Sequence, residues 1–228
     1  MFSIKPNITI KEWRDFVRNV YGIHNDRDFS SWDMVFNLER FTMRGLKGIR
    51  KKDKEKTKVN LIIALSWFMS LMNQLHINID KEIWIRFPYL CSYCGSCPCS
   101  CGKNKERERR KIKGNEKFHP KTLSEFQKMF GRIYPSEKRT LEHAGIHLAE
   151  ELGEFSETIL TYRGSHKKSD FEKIELEAAD LFSCFAGVFN SLNISLANQL
   201  SRLFSKNCHV CKKAPCECSF TNVIKFKS

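Results

Sequence analysis

Cys91-Ser-Tyr-Cys94-Gly-Ser-Cys97-Pro98-Cys99-Ser-Cys101 returns near the far end of the chain as Cys208-His-Val-Cys211-Lys-Lys-Ala-Pro215-Cys216-Glu-Cys218. Both follow the frame CxxCxxxPCxC, and every shared position is offset by 117 residues. Only Cys97 lacks a counterpart, because Ala214 stands in its place. Upstream, Leu75-His76-Ile77 pairs with Leu192-Asn193-Ile194 at the same offset. Earlier still, Thr9-Ile-Lys-Glu-Trp13 through Val20-Tyr21-Gly22 runs parallel to Thr122-Leu-Ser-Glu-Phe126 through Ile133-Tyr134-Pro135, at an offset of 113. Self-similarity of this kind marks a duplicated unit. The chain reads as one copy over residues 1–101, a charged linker over 102–117 and a second copy over 118–228.

Apolar residues at 3-4 spacing predict three helices in each copy, over residues 10–21, 31–49 and 57–75 and over 123–134, 141–162 and 170–192. Thr9 and Thr122 stand as N-caps ahead of the first helix of each copy. Short helices near 83–88 and 195–205 are expected to lead into the cysteines. Strand-like alternation is confined to pieces such as 82–87 and 222–226. The expected fold is all-α, two tandem helical units packed as an intramolecular pseudo-dimer, each closed by its own four-cysteine metal cluster.

A chain of 228 residues with 41% apolar content can fill a core. No stretch reaches the ~18 uninterrupted apolar residues of a membrane span, and the amino terminus has no signal-peptide pattern; the expectation is a cytoplasmic protein without a membrane partner. The net charge of +13 is lopsided: residues 1–115 hold 23 Lys and Arg against 12 Asp and Glu, which leaves +11 in that part. The excess gathers in residues 40–58 and 103–113. Such runs read first as solvated loops and second as a polyanion-binding surface.

Nine of the ten cysteines fall in the two clusters, at spacings suited to metal and not to disulfides. Cys91, Cys94, Cys99 and Cys101, and likewise Cys208, Cys211, Cys216 and Cys218, supply four thiolates each, enough for structural tetrahedral Zn²⁺ sites, with sharing between copies left open. Cys91, Cys94, Cys97 and Cys101 also satisfy CxxCxxCxxxC, an iron–sulfur spacing. The second cluster cannot make that pattern, which favours zinc. Cys184, in an apolar helical segment, reads as a core thiol.

The second copy contains His147-Leu-Ala-Glu150-Glu151-Leu-Gly-Glu154-Phe-Ser-Glu157 and then Glu175-Leu-Glu177-Ala-Ala-Asp180-Leu-Phe-Ser-Cys184. Glu151 and Glu154, and again Glu177 and Asp180, are i and i+3, hence on one helix face. If the two helices pack antiparallel, four carboxylates converge and repel unless a cation sits among them. Glu177 and Asp180 lie in an apolar helix, and no Lys or Arg stands between Lys173 and Arg202 to compensate them, so a metal is the economical partner.

EExxE followed at some distance by ExxD resembles the signature of the MazG-like all-α nucleoside triphosphate pyrophosphohydrolases, relatives of the dimeric dUTPases, over roughly residues 122–206. The resemblance implies that Glu151, Glu154, Glu177 and Asp180 hold Mg²⁺ (or Mn²⁺), that Glu150 positions water, and that an NTP or dNTP is cleaved to the monophosphate and pyrophosphate. It also implies dimeric packing, so a homo-oligomer stays open. Lys173, Arg202 and Lys206 are candidates for the outer phosphates. In the first copy, Glu39-Arg40-Phe41-Thr42-Met43 aligns with Glu150 to Glu154, while Asn60 and Ile63 replace Glu177 and Asp180. That copy is expected to be catalytically dead, a built-in partner whose basic loop 44–58 faces phosphates or solvent. The alternative is a zinc-containing nucleic-acid-binding or nucleotide-sensing regulator without turnover. Inward acids oppose the nucleic-acid version, for which only weak, nonspecific binding is expected.

Overall fold

The computed structural model describes residues 4–101 and 112–219, apart from the side chain of residue 138. Most of the basic run 103–113, and the strand-like piece 222–226, lie outside the described residues. The described elements are all helical: α1 (Ile10–Asp28), α2 (Ser31–Arg50), α3 (Lys54–Gln74), α4 (Ile79–Arg86), α5 (Leu123–Ile133), α6 (Leu141–Ser165), α7 (Lys168–Ser191) and α8 (Leu196–Leu203). Two short 3₁₀ turns, Glu116–Phe118 and Ser136–Lys138, flank α5. No strand occurs among the described residues. Residues 82–86 belong to α4 and Phe87 caps it; Ile79 and Ile83, one turn apart, are both fully buried. Among the described residues no single helix is long and apolar enough to cross a membrane.

Local chemistry sets the helix ends. Thr9 and Thr122 each close a capping box: the hydroxyls accept from the amides of Glu12 and Glu125, and those carboxylates accept in return from the Thr amides. Both carboxyls are held below their usual pKa, chiefly by the backbone N–H groups they receive. α1 outlasts its counterpart because Gly22 stands where Pro135 follows α5, and proline disfavours helix in the residue before it. α3 and α7 end alike: His76 and Asn193 take left-handed φ of 56° and 54°. The amides of Ile77 and Ile194 then donate to the carbonyls of Met72 and Phe189 at 3.0 Å each, a Schellman closure.

The basic segment 44–58, expected as a loop, is mostly helix. It spans the end of α2, a turn at residues 51–53 and the start of α3, which Asp53 caps. α2 and α3 approach so closely there that a Cβ on Gly48 would fall 2.5 Å from Thr57 Oγ1. Glycine is required by that contact.

The chain forms two compact units, and they do not follow the repeat boundaries. One contains residues 1–77 and 196–228, the other residues 78–195. α1, α2 and α8 pack on α3 in the first, and α5, α6 and α4 pack on α7 in the second. Each three-helix body thus holds the short helix and cysteine cluster of the other copy, which corrects the expectation that each copy closes on its own cluster. The exchange is reciprocal in detail. Phe204 sits edge-on to Tyr21 in the first unit at 6.5 Å between centroids, and Phe87 to Tyr134 in the second at 6.3 Å. Cys216 donates its amide to the Val20 carbonyl at 2.7 Å, and Cys99 to the Ile133 carbonyl at 2.8 Å.

Phe204 is 1% exposed, and truncating a buried phenylalanine costs about 3–5 kcal/mol. Phe204→Ala should therefore strip amide-exchange protection from α1 and α3 while sparing α5 and α7; hydrogen-exchange mass spectrometry reads this directly, and protection lost in α5 and α7 instead would contradict the exchanged assembly.

Candidate metal and carboxylate sites

In both clusters the four predicted cysteines gather. Cys91, Cys94, Cys99 and Cys101 form one group and Cys208, Cys211, Cys216 and Cys218 the other, each with its sulfurs within 4.8 Å of one another. Tetrahedral zinc–sulfur bonds of about 2.3 Å place sulfurs roughly 3.8 Å apart. The spacings are 3.6 Å for Cys91–Cys101, 4.0 Å for Cys94–Cys99, and 3.8 Å for both Cys208–Cys218 and Cys211–Cys216. Either set could bind a metal such as zinc. Each group is drawn from a single copy. Cys97 is exposed and stands outside the first group, contrary to the iron–sulfur spacing.

Backbone amides favour thiolates at matching positions. Ser100 donates to Cys94 and Glu217 to Cys211, both at 3.4 Å. Burial pushes the Cys94 thiol up, but the Ser100 amide and its neighbours outweigh it and bring the pKa down to about 5. Thiols so close cannot all ionise without a cation, and Cys101 and Cys216 are pushed well up, the first mainly by burial and the second mainly by its bond to Cys208. The Tyr134 hydroxyl donates to Cys91 at 3.6 Å.

Cys184 is half-buried, its thiol raised to about 12 mainly by desolvation.

The carboxylates lie in the second unit, where α6 packs on α7. Oxygens of Glu151, Glu177 and Asp180 lie within 4.8 Å of one another. Glu151 Oε2 and Glu177 Oε2 are buried with no hydrogen-bond partner, the condition a hard cation would relieve. Glu154 does not join them. Its side chain is exposed and borders a cleft of about 270 Å³ with Glu157, Asp170, Lys173 and Glu177. Glu150 is exposed beside His147, 3.4 Å away.

Desolvation first, then the neighbouring carboxylates, raises Glu151 to about 8 and Glu177 to about 7. Burial raises Asp180 to about 6 against the pull of a cation that sequence reasoning missed. Arg86, at the end of α4, grips Asp180 bidentately, Nε to Oδ1 at 3.0 Å and a terminal nitrogen to Oδ2 at 2.5 Å, with both side chains nearly inaccessible. The absence of Lys and Arg between 173 and 202 therefore did not leave Asp180 uncompensated, because the partner comes from the other copy. A signal existed in the repeat: at the same offset of 117, Ile63 and Leu203 replace Asp180 and Arg86 together. Tyr93, inside the first cysteine loop, also feels Asp180, Glu151 and Glu154, although burial dominates its upward shift.

Of the expected phosphate contacts, Lys173 borders the cleft and pairs with Asp170 at 2.8 Å. Arg202 and Lys206 belong to the first unit, where Arg202 borders a hollow with Glu55 and Lys58. They are not gathered with the carboxylates in one unit. No protein-family model, curated protein or solved structure matches the chain.

Two zinc ions per chain are expected by elemental analysis of protein purified without added metal; iron, or no metal, would contradict this. The carboxylates give a second test. Their folded pKa values lie above the unfolded ones, so the stability they contribute is full below about pH 4 and is lost as pH rises through 6 to 8. In zinc-loaded protein freed of Mg²⁺, Glu151→Gln should raise the melting temperature at pH 8.5 and change it little at pH 5.

Proposed function

We propose that the chain is a Mg²⁺-dependent nucleotide pyrophosphohydrolase of the MazG-like kind, converting an NTP or dNTP and water to the monophosphate and pyrophosphate, with its chemistry confined to the second unit. The observation that carries this reading is the convergence of Glu151, Glu177 and Asp180 with two buried oxygens left without partners. Three carboxylates are a hard-oxygen donor set suited to Mg²⁺ or Mn²⁺. When bound there, the cation supplies charge neutralisation on the phosphates and makes water a better nucleophile.

The remaining roles belong to the chain's own side chains. Glu154, one turn from Glu151 and open to the cleft, completes the acidic face and takes up a proton from the attacking water. Lys173 meets outer phosphate oxygens from the same cleft. Arg86 offsets the charge of Asp180. Its two hydrogen bonds fix the Asp180 carboxylate in place, a geometry for which the planar guanidinium fork is suited. Arg202 and Lys206 are not carried forward. The first copy offers no acid at the corresponding positions: Asn60 is buried and gives its amide to the Lys56 carbonyl, and Ile63 is apolar.

Glu151→Gln, Glu177→Gln and Asp180→Asn are each expected to lower pyrophosphate release by on the order of a hundredfold or more. Arg40→Ala and Met43→Ala should leave it within a few fold. The assay is a panel of NTPs and dNTPs with Mg²⁺ or Mn²⁺, scored separately for pyrophosphate and orthophosphate. Nucleotide binding without pyrophosphate release would indicate a sensor, and equal losses in both copies would overturn the assignment of chemistry to the second unit.

A further inference from the structure

In the first unit, α1, α2, α3 and the second cysteine cluster enclose a cavity of about 510 Å³, a size typical of small-molecule sites. Its walls are aromatic and aliphatic. Phe29 and Trp67 meet edge to face at 5.3 Å between ring centroids, and Phe41 and Val210 extend the surface. Ser66 and Ser70 on α3 and the carboxylates of Asp28 and Asp33 supply the polar fittings. Asp28 stays ionised, its pKa held at about 2 by Arg27 and then His24. Among the described residues, none of the lining side chains is Lys or Arg.

The repeat indicates what this space corresponds to. At the offset of 117, Trp67 matches Cys184, Ser70 matches Gly187 and Val210 matches Tyr93. In the second unit, Cys184 and Tyr93 lie within electrostatic reach of Glu151 and Asp180. The cavity is therefore the first unit's counterpart of the ground beside the carboxylates. In the second unit that ground is closed at Gly187, where a Cβ would fall 2.3 Å from a terminal nitrogen of Arg139. In the first, a serine stands at that position and the space is open. Aromatic walls suit a flat ring, and hydroxyls and carboxylates suit its N–H groups. The two carboxylates disfavour phosphate, since Arg27, whose guanidinium is already paired with Asp28, stands outside the lining.

We infer that the first unit binds a nucleobase or nucleoside without phosphates in this cavity, a reading that rests on the nucleotide chemistry proposed for the second unit only for the kind of ring. The dead copy has lost the acids that would handle a triphosphate and has kept, and opened, the neighbouring space for the organic half of the molecule.

The test titrates zinc-loaded, full-length Asp180→Asn protein with adenosine, guanosine, cytidine, uridine and thymidine, and with their 5′-triphosphates, by calorimetry. At least one nucleoside should bind one to one with a Kd below about 1 mM, and its triphosphate about tenfold or more weaker. Ser70→Leu, which fills the cavity, should weaken binding about tenfold or more. Val210→Trp should do the same from a position that is 40% exposed and so tolerant of substitution. No saturable binding of any of the five nucleosides, or binding indifferent to both substitutions, overturns the inference. Pyrophosphate release by the wild type is measured alongside. Nucleoside binding without turnover retains this site and rejects the enzyme, and turnover without nucleoside binding does the reverse.

Discussion

Each cysteine cluster is tied to a helix of the opposite copy by the same backbone hydrogen bond, Cys216 to Val20 in one unit and Cys99 to Ile133 in the other. The composition of both units follows from this docking. The first helix of each copy presents a tyrosine, Tyr21 within α1 and Tyr134 at the cap of α5, that meets the visiting phenylalanine and the visiting cysteine loop. A loop holding four thiols has little apolar surface of its own. It becomes part of a core by lying on one, and a short helix carrying Phe87 or Phe204 anchors it there. The Schellman turns after α3 and α7 release the chain at equivalent points, so both tails depart in the same way and the exchange is symmetric.

That exchange gives the second unit a cation that its own copy does not encode. Three carboxyls crowd between α6 and α7; burial raises all three, and repulsion from neighbouring carboxylates adds to it at Glu151 and Glu177. Arg86 bonds Asp180 and only weakly draws down Glu151 and Glu177, each of which keeps one buried oxygen without a hydrogen-bond partner. An isolated buried charge is costly, so the site holds protons or a cation. The first unit avoids the difficulty: Ile63 and Leu203 stand where the ion pair would be, and Asn60 satisfies itself within α3. Two copies of one helical arrangement thus differ in their buried charges.

Much of the helical fold was legible in the chain because its signals are local. The threonine caps, the apolar 3-4 spacing and the matched chain reversals located six long helices to within a few residues at most ends. The main departure, the longer α1, turned on Gly22 against Pro135. The cysteine ligand sets were equally legible, since four sulfurs within eleven residues leave few other partners. Glu151, Glu177 and Asp180 were found from i, i+3 spacing on two helices. Glu154 was placed with them by the same rule, although its side chain lies one turn farther out, in solvent.

The sequence by itself determined the duplication, the all-α character, the two sets of four cysteines and the asymmetry of acids between the copies, because each is written in residue identity and short-range spacing. Tertiary structure alone decided which cluster closes which unit, that Arg86 faces Asp180 across 94 positions of chain, and that a cavity opens in the copy lacking the carboxylate cluster. Those outcomes depend on which surfaces bury one another after the helices form. The two tails are similar enough in sequence that spacing cannot say whether each stays with its own copy or crosses to the other; only the packing of Phe87 and Phe204 against the helices they reach distinguishes the two arrangements.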